Sequence, residues 1–258
     1  MKTIVLLAAT QLAVGAVFAL TASDNASNYG GGWTNGSNQG TGFGTWSLNS
    51  DGGTSGFAGN FLGDSTAGAG DINTAGNSFG LFANQDAGAF STATRSFSSA
   101  LTTNDQFTAQ IALNFDNGNK GFNLRTGTDN ILGFNVGSGG SINTAFTDNP
   151  ITAQYDYGGN DAVIDISILV TSASSVQYTV SRTSSAGLQG ILFNGSITGI
   201  AGSIDNFEFY NSGTDNGDPQ NNLYFNSIAV NPVPEPSFYA ALGGIVALGI
   251  ALLRRQRS

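Results

Sequence analysis

Two stretches of this chain alternate strictly between apolar and polar residues, and that period confines them to strands. Between Gln106 and Phe115, residues Phe107, Ala109, Ile111, Leu113 and Phe115 share one face, with Thr108, Gln110 and Asn114 on the other. Between Asp161 and Val170, Ile164, Ile166, Ile168 and Val170 alternate with Asp165 and Ser167. After a Thr/Ser/Ala turn, Val176, Tyr178 and Val180 carry the same period through to Arg182. Period two makes each stretch one wall of a half-buried sheet. Shorter segments read the same way: 42–49, 78–84, 121–126, 130–136, 151–157, 191–198, 204–210 and 223–230. No segment between the two termini combines helical periodicity with a cap. Ten or more strands in roughly 210 residues, with Asx/Gly turns between them, predict an all-β, two-sheet antiparallel sandwich.

Composition narrows what such a sandwich can do. The chain has no cysteine and no histidine, so disulfides, thiolate nucleophiles, histidine bases and the commonest zinc ligands are all missing. The net charge is −9 over 258 residues. Lys2, Arg254, Arg255 and Arg257 sit at the ends, which leaves Arg95, Lys120, Arg125 and Arg182 in the body against nearly all of the 17 acids. That balance argues against nucleic acid as a partner. The 37 glycines are interleaved with aromatics, among them Tyr29, Trp33, Phe43, Trp46, Phe57, Phe61, Phe79 and Phe82. Those rings can fill a core, which a disordered glycine-rich tract lacks.

The termini read as delivery segments. Lys2 and the apolar run from Ile4 to Leu20 have the form of a signal peptide, assigned to residues 1–22. Residues 23–231 form the β-sandwich domain and 232–258 a sorting segment. In that segment Pro232, Pro234 and Pro236 enforce an extended spacer. Residues 238–253 are uncharged and are assigned as a single transmembrane helix, and a basic tail follows. At 1.5 Å per residue those sixteen residues reach about 24 Å, against a hydrocarbon core of about 30 Å.

The string Val233-Pro234-Glu235-Pro236-Ser237, the apolar run and the arginine cluster together resemble the PEP-CTERM sorting domain. The resemblance implies an exosortase as partner, with Pro234, Glu235 and Pro236 as the recognition motif and Arg254, Arg255 and Arg257 as the basic stop. It further implies export across the inner membrane of a Gram-negative bacterium, a membrane-anchored precursor, and display at the cell surface or in the extracellular matrix. The body resembles the concanavalin A-like or laminin-G-like jelly roll. That likeness rests on the Ile204-Asp205-Asn206-Phe207-Glu208-Phe209-Tyr210 strand, an Asn/Asp/Gly loop, and a closing strand from Leu223 to Val230. In that family such a strand pairs back near the N-terminus.

Candidate chemistry is sparse. Glycoside hydrolases need two carboxylates across a sugar, and the body holds a single glutamate, Glu208. The Glu-x-Asp-x-x-Glu run that the resemblance would require of a hydrolase is absent, so no enzyme and no catalytic residue are expected. No cofactor is expected either, with calcium the one candidate. Its oxygen ligands would come from Asp116 and Asn117 in one Asx-Gly turn and Asp215 and Asp218 in another, although such turns recur for backbone reasons alone. Trp33, flanked by Gly32, Thr34 and Asn35, is the candidate glycan contact, set against a core role; Trp46, Phe207, Phe209 and Phe225 read as core. The function expected is that of an exported, non-enzymatic structural or polysaccharide-associated protein. The alternative is a carbohydrate-binding, lectin-like module, and a glycoside hydrolase comes third.

Overall fold

The computed structural model describes residues 22–115, 117–137, 141–144, 151–154, 163–183, 190–233 and 250. The chain divides into two compact units. One is Leu20–Asn231; the other combines Met1–Ala19 with Pro232–Ser258, and little of it is described.

The first unit is a sandwich of two antiparallel sheets, as the alternation predicts. Its strands are β1 (Ala22–Asp24), β2 (Phe43–Asp51), β3 (Phe57–Gly63), β4 (Ser78–Asn84), β5 (Phe90–Phe97), β6 (Asp105–Ala112), β7 (Asn119–Thr126) and β8 (Asp129–Gly137). The series continues with β9 (Ser141–Thr144), β10 (Ile151–Gln154), β11 (Val163–Ser172), β12 (Ser175–Arg182), β13 (Gly190–Thr198), β14 (Asn206–Ser212) and β15 (Leu223–Pro232). An eight-stranded sheet runs β13-β12-β11-β6-β15-β4-β3, with β1 added beside β15; a seven-stranded sheet runs β10-β9-β8-β7-β14-β5-β2. Neighbours such as β6–β15 and β7–β14 are distant in sequence, the signature of a jelly roll. The expected return of the closing strand is present: Ala22, Ser23 and Asp24 pair with Val230, Ala229 and Ile228.

The alternating faces meet between the sheets. Ile164, Ile166, Ile168, Val176, Val180, Phe107 and Ile111 line one inner wall; Phe122, Leu124, Phe134, Phe207 and Phe209 line the other. Aromatic rings fill one end: Phe209 stacks on Phe225 at 4.0 Å, and Trp46 contacts Phe79 at 5.6 Å and Phe207 at 5.9 Å. A smaller cluster of Ala69, Ile72, Ala112 and Tyr224 sits apart, with Phe61 and Val163 packed on it. The period fails at one expected position. β6 stops at Ala112, and Phe115 lies beyond it in a connection, 36% exposed.

One inward residue on β5 carries a charge. Arg95 is buried and ion-paired with buried Asp24. Its Nε donates to the Gly44 carbonyl (2.6 Å), and a terminal nitrogen donates to the Gln39 carbonyl (2.8 Å). The Tyr29 hydroxyl donates to Asp24 (2.6 Å), and the Trp46 indole donates to the Tyr29 oxygen (2.8 Å). Burial, reinforced by the Asp24 hydrogen bond, pushes the Tyr29 phenol well above its ordinary value. The cluster ties β1 and the 26–40 segment onto the seven-stranded sheet.

The expected transmembrane helix 238–253 is not upheld. Among the described residues no helix is long and apolar enough to cross a membrane, and the run itself reaches less than the hydrocarbon thickness. Residues 1–21 and, except for Ile250, 234–258 lie outside the described residues, and with them Pro234, Glu235, Pro236, Arg254, Arg255 and Arg257.

Candidate functional site

Alternation that sends Phe207 and Phe209 inward sends Glu208 and Tyr210 outward, and β14 lies near the middle of the seven-stranded sheet. Its register sets the neighbours. Glu208 lies opposite Thr94 on β5 and Asn123 on β7; Tyr210 lies opposite Thr92 on β5 and Gly121 on β7, and Gly121 lies opposite Asn135 on β8. These residues form two polar rows across the outward face.

The first row converges on Glu208. Its Oε1 accepts from Asn123 Nδ2 (3.1 Å); its Oε2 accepts from Arg125 Nη1 (3.0 Å) and from the Thr94 hydroxyl (3.3 Å). The Glu208 and Arg125 side chains are 16% and 18% exposed, so the pair borders solvent without being dissolved in it. Arg125 also donates to the Thr128 carbonyl (2.9 Å), which fixes its plane.

The second row depends on a missing side chain. The Tyr210 hydroxyl reaches across β7 to β8 and donates to Asn135 Oδ1 (2.8 Å). It passes over Gly121, where a Cβ would strike the Phe134 carbonyl oxygen and come within 3.0 Å of the Tyr210 oxygen. Glycine at that one position lets the tyrosine side chain lie along the sheet and keep its far end anchored. Burial raises the Tyr210 phenol well above its ordinary value, and the Glu208 charge adds to the rise, so the ring stays a neutral donor.

Around the rows lies an open hollow of about 570 Å³, lined by Phe90, Thr92, Asn123, Asn135, Glu208 and Tyr210 among others. A second, of about 560 Å³, lies between the β7–β8 turn and the end of β13, with Thr126, Asp129, Ile131, Ile197 and Ile200 in its lining and no aromatic ring. The first has the size of a small-ligand site and unites an aromatic ring with converging donors and acceptors.

The residues singled out in the sequence lie elsewhere. Trp33 is turned inward, 4% exposed, and packs on Phe79 at 4.8 Å and Trp46 at 5.5 Å. Its ring belongs to the core, and a sugar at the surface does not meet it. The two candidate calcium loops do come together, through a hydrogen bond from Asn117 Nδ2 to Asp215 Oδ2 (3.0 Å). Their oxygens are used locally: Asp218 caps the 3-10 turn Pro219–Asn221 by accepting from Gln220 N, and Asn216 accepts from Asp218 N. Asp116 lies outside the described residues. Among the described residues no group of three or more acidic side chains is placed to hold a metal ion. Asn216 and Asp218 thus serve as Asx-turn acceptors in this loop.

No family model matches the chain, and no curated protein matches it. The PEP-CTERM resemblance is accordingly withdrawn. A five-residue string with an apolar run and arginines, about a tenth of the chain, is too short to establish a family. The exosortase partner and display at the cell surface rested on it and fall with it; the membrane partner rested on the apolar run 238–253 and falls with that helix, and export across an inner membrane, read also from residues 1–22, is not upheld either. Solved structures of similar architecture include the Caenorhabditis elegans galectin LEC-6, 12% identical, with 51% of this chain and 85% of that chain covered and a TM-score of 0.34. The exoplasmic/lumenal domain of VIP36 in its Ca2+/Man3GlcNAc-bound form is 7% identical, with 74% and 86% covered and a TM-score of 0.43. A sialidase is 13% identical with a TM-score of 0.48; 84% of this chain is covered, and the chain spans 19% of that protein's length. These likenesses are too distant to match residues or to transfer an activity.

Proposed function

We propose that the protein is a non-enzymatic, carbohydrate-binding jelly-roll module whose binding surface is the outward face of β5, β7, β8 and β14. The observation that supports this most is the pairing of a flat-lying, tethered Tyr210 with a hydrogen-bonded Glu208–Asn123–Arg125–Thr94 cluster one row away. Sugars offer apolar C–H faces and vicinal hydroxyls. An aromatic ring takes the first, and a planar array of carboxylate, amide and guanidinium takes the second. Because the cluster is already assembled, little side-chain entropy is lost on binding.

The non-enzymatic part of the proposal rests on Glu208. It is the lone glutamate of the body and the one carboxylate among the residues that line the hollow, whereas glycoside hydrolysis needs a second carboxyl group facing it across the sugar. The local balance favours neutral sugars, since an acidic one would meet Glu208 and an acidic chain.

Isothermal titration against a panel of neutral and acidic oligosaccharides tests the reading. Saturable binding to a neutral glycan, lost in Glu208→Ala and Tyr210→Ala but kept in Gln110→Ala on the other sheet, is expected. No heat with any glycan, or turnover of the bound sugar, would overturn it.

A further inference from the structure

The body's single lysine lies inside the sandwich. Lys120 on β7 points inward at 0% exposure, and its register partner on β14 is Asn211, also at 0%. Lys120 Nζ donates to the main-chain carbonyl of Asn221 (2.9 Å), and Asn211 Nδ2 donates to that same oxygen (3.1 Å). The amine and the amide nitrogen can therefore be no further apart than those two bonds laid end to end. Asn211 is held from a second side by the Leu81 carbonyl (3.0 Å), and its buried Oδ1 has no hydrogen-bond partner among the described residues. A nucleophile and a carboxamide on adjacent strands thus converge on one carbonyl oxygen, both fully buried, in a chain that has no cysteine for a disulfide. The neighbouring Asn221 side chain is the poorer target, because its Nδ2 is drawn into the loop by Asn216 Oδ1 (2.7 Å).

We propose that Lys120 and Asn211 join in an intramolecular isopeptide bond. The neutral amine adds to Asn211 Cγ, the Nζ–Cγ bond forms and the Cγ–Nδ2 bond breaks. Counted from the lysine ammonium, the departing nitrogen leaves as ammonium ion, so atoms and charge balance with no oxidant, metal or cofactor. Holding the two groups in register supplies the proximity that such a reaction needs. The product removes a buried charge from the core, where a charge is costly. It also ties two neighbouring strands of the sheet that carries the candidate binding face, although it is independent of any ligand there.

Mass spectrometry of the purified full chain decides the matter. The expected result is a protein one ammonia lighter than its sequence. After denaturation trypsin fails to cut at Lys120, and peptide 96–125 is recovered joined to the peptide that begins at Thr183. Asn211→Asp, which would close by losing water, gives the same cross-linked mass as the unaltered chain, and Lys120→Arg carries its full sequence mass. Cleavage at Lys120 with no joined peptide in the unaltered chain overturns the proposal and needs no variant to fold. So does an ammonia loss that persists in Lys120→Arg, which would assign it to succinimide formation at Asn-Gly turns such as Asn35-Gly36 or Asn216-Gly217.

Discussion

An arginine of the seven-stranded sheet meets a carboxylate on each of its faces, the inner one supplied by β1 of the other sheet, and the two pairs have different consequences. Arg95 and Asp24, on the inner face, are 1% and 0% exposed, surrounded by Tyr29, Trp46 and main-chain carbonyls. Arg125 and Glu208, on the outer face, are 18% and 16% exposed and border an open hollow. The chemistry is the same and the solvent is not. A fully desolvated pair is a structural commitment, because removal of either partner leaves an uncompensated charge. A pair at the edge of water adds little stability and keeps its groups within reach of a ligand. The lesson is that burial, more than pairing, separates a clamp from a candidate site.

The comparison breaks most visibly at the inner pair. Asp24→Ala is expected to cost about 3–5 kcal/mol of unfolding free energy, read by urea denaturation, since it strands Arg95 and removes the acceptor of the Tyr29 hydroxyl. Gly121→Ala comes next. A methyl group there collides with the Phe134 carbonyl and presses on Tyr210, so a loss of about 1–3 kcal/mol is expected from overpacking, together with loss of glycan binding. Glu208→Gln sharpens the contrast from the other side. Its stability cost should stay near 1 kcal/mol or below, while glycan affinity falls at least about tenfold, equivalent to about 1.4 kcal/mol. A stability loss as large as that of Asp24→Ala would erase the distinction between the faces.

The smallest effect is nil at neutral pH. Tyr29 and Tyr210 both have raised phenol pKa values. Their contribution to stability is complete below the ordinary tyrosine value of about 10. Above it the unfolded chain has released protons that the folded chain still holds, so stability falls as pH rises. Tyr29→Phe and Tyr210→Phe should each flatten that alkaline decline, as measured by chemical denaturation between neutral and strongly alkaline pH. An unchanged slope in both would contradict the burial assigned to them.

Much of this could be read from the residues, for a physical reason in each case. β4 and β12 are nearly as the period places them, and Phe207, Phe209 and Phe225 are buried as their pattern requires. β5 was harder to see, because Ser91, Ala93 and Arg95 take three of its inward positions and disguise the alternation. β3 was hidden by its glycines, and β1 by its place next to the N-terminal apolar run. The alternation of β14 already sends Glu208 and Tyr210 to one face. What the sequence could not show is that β5 and β7, from far earlier in the chain, flank them and supply Thr94, Asn123 and Arg125. Trp33 stayed open between a glycan contact and a core role because polar and glycine neighbours do not reveal which way a ring turns, and its burial fits the core role. The 232–258 segment misled because a short string carried more family identity than its length supports.

The most direct test of the outward face as a glycan surface is amide chemical-shift mapping on titration with a neutral oligosaccharide. The account predicts shifts concentrated at Thr94, Gly121, Asn123, Asn135, Glu208 and Tyr210, across four strands of one sheet. Shifts clustered instead at Gln106, Gln110 and Asp165 on the opposite sheet, or no shifts with any glycan, would contradict it.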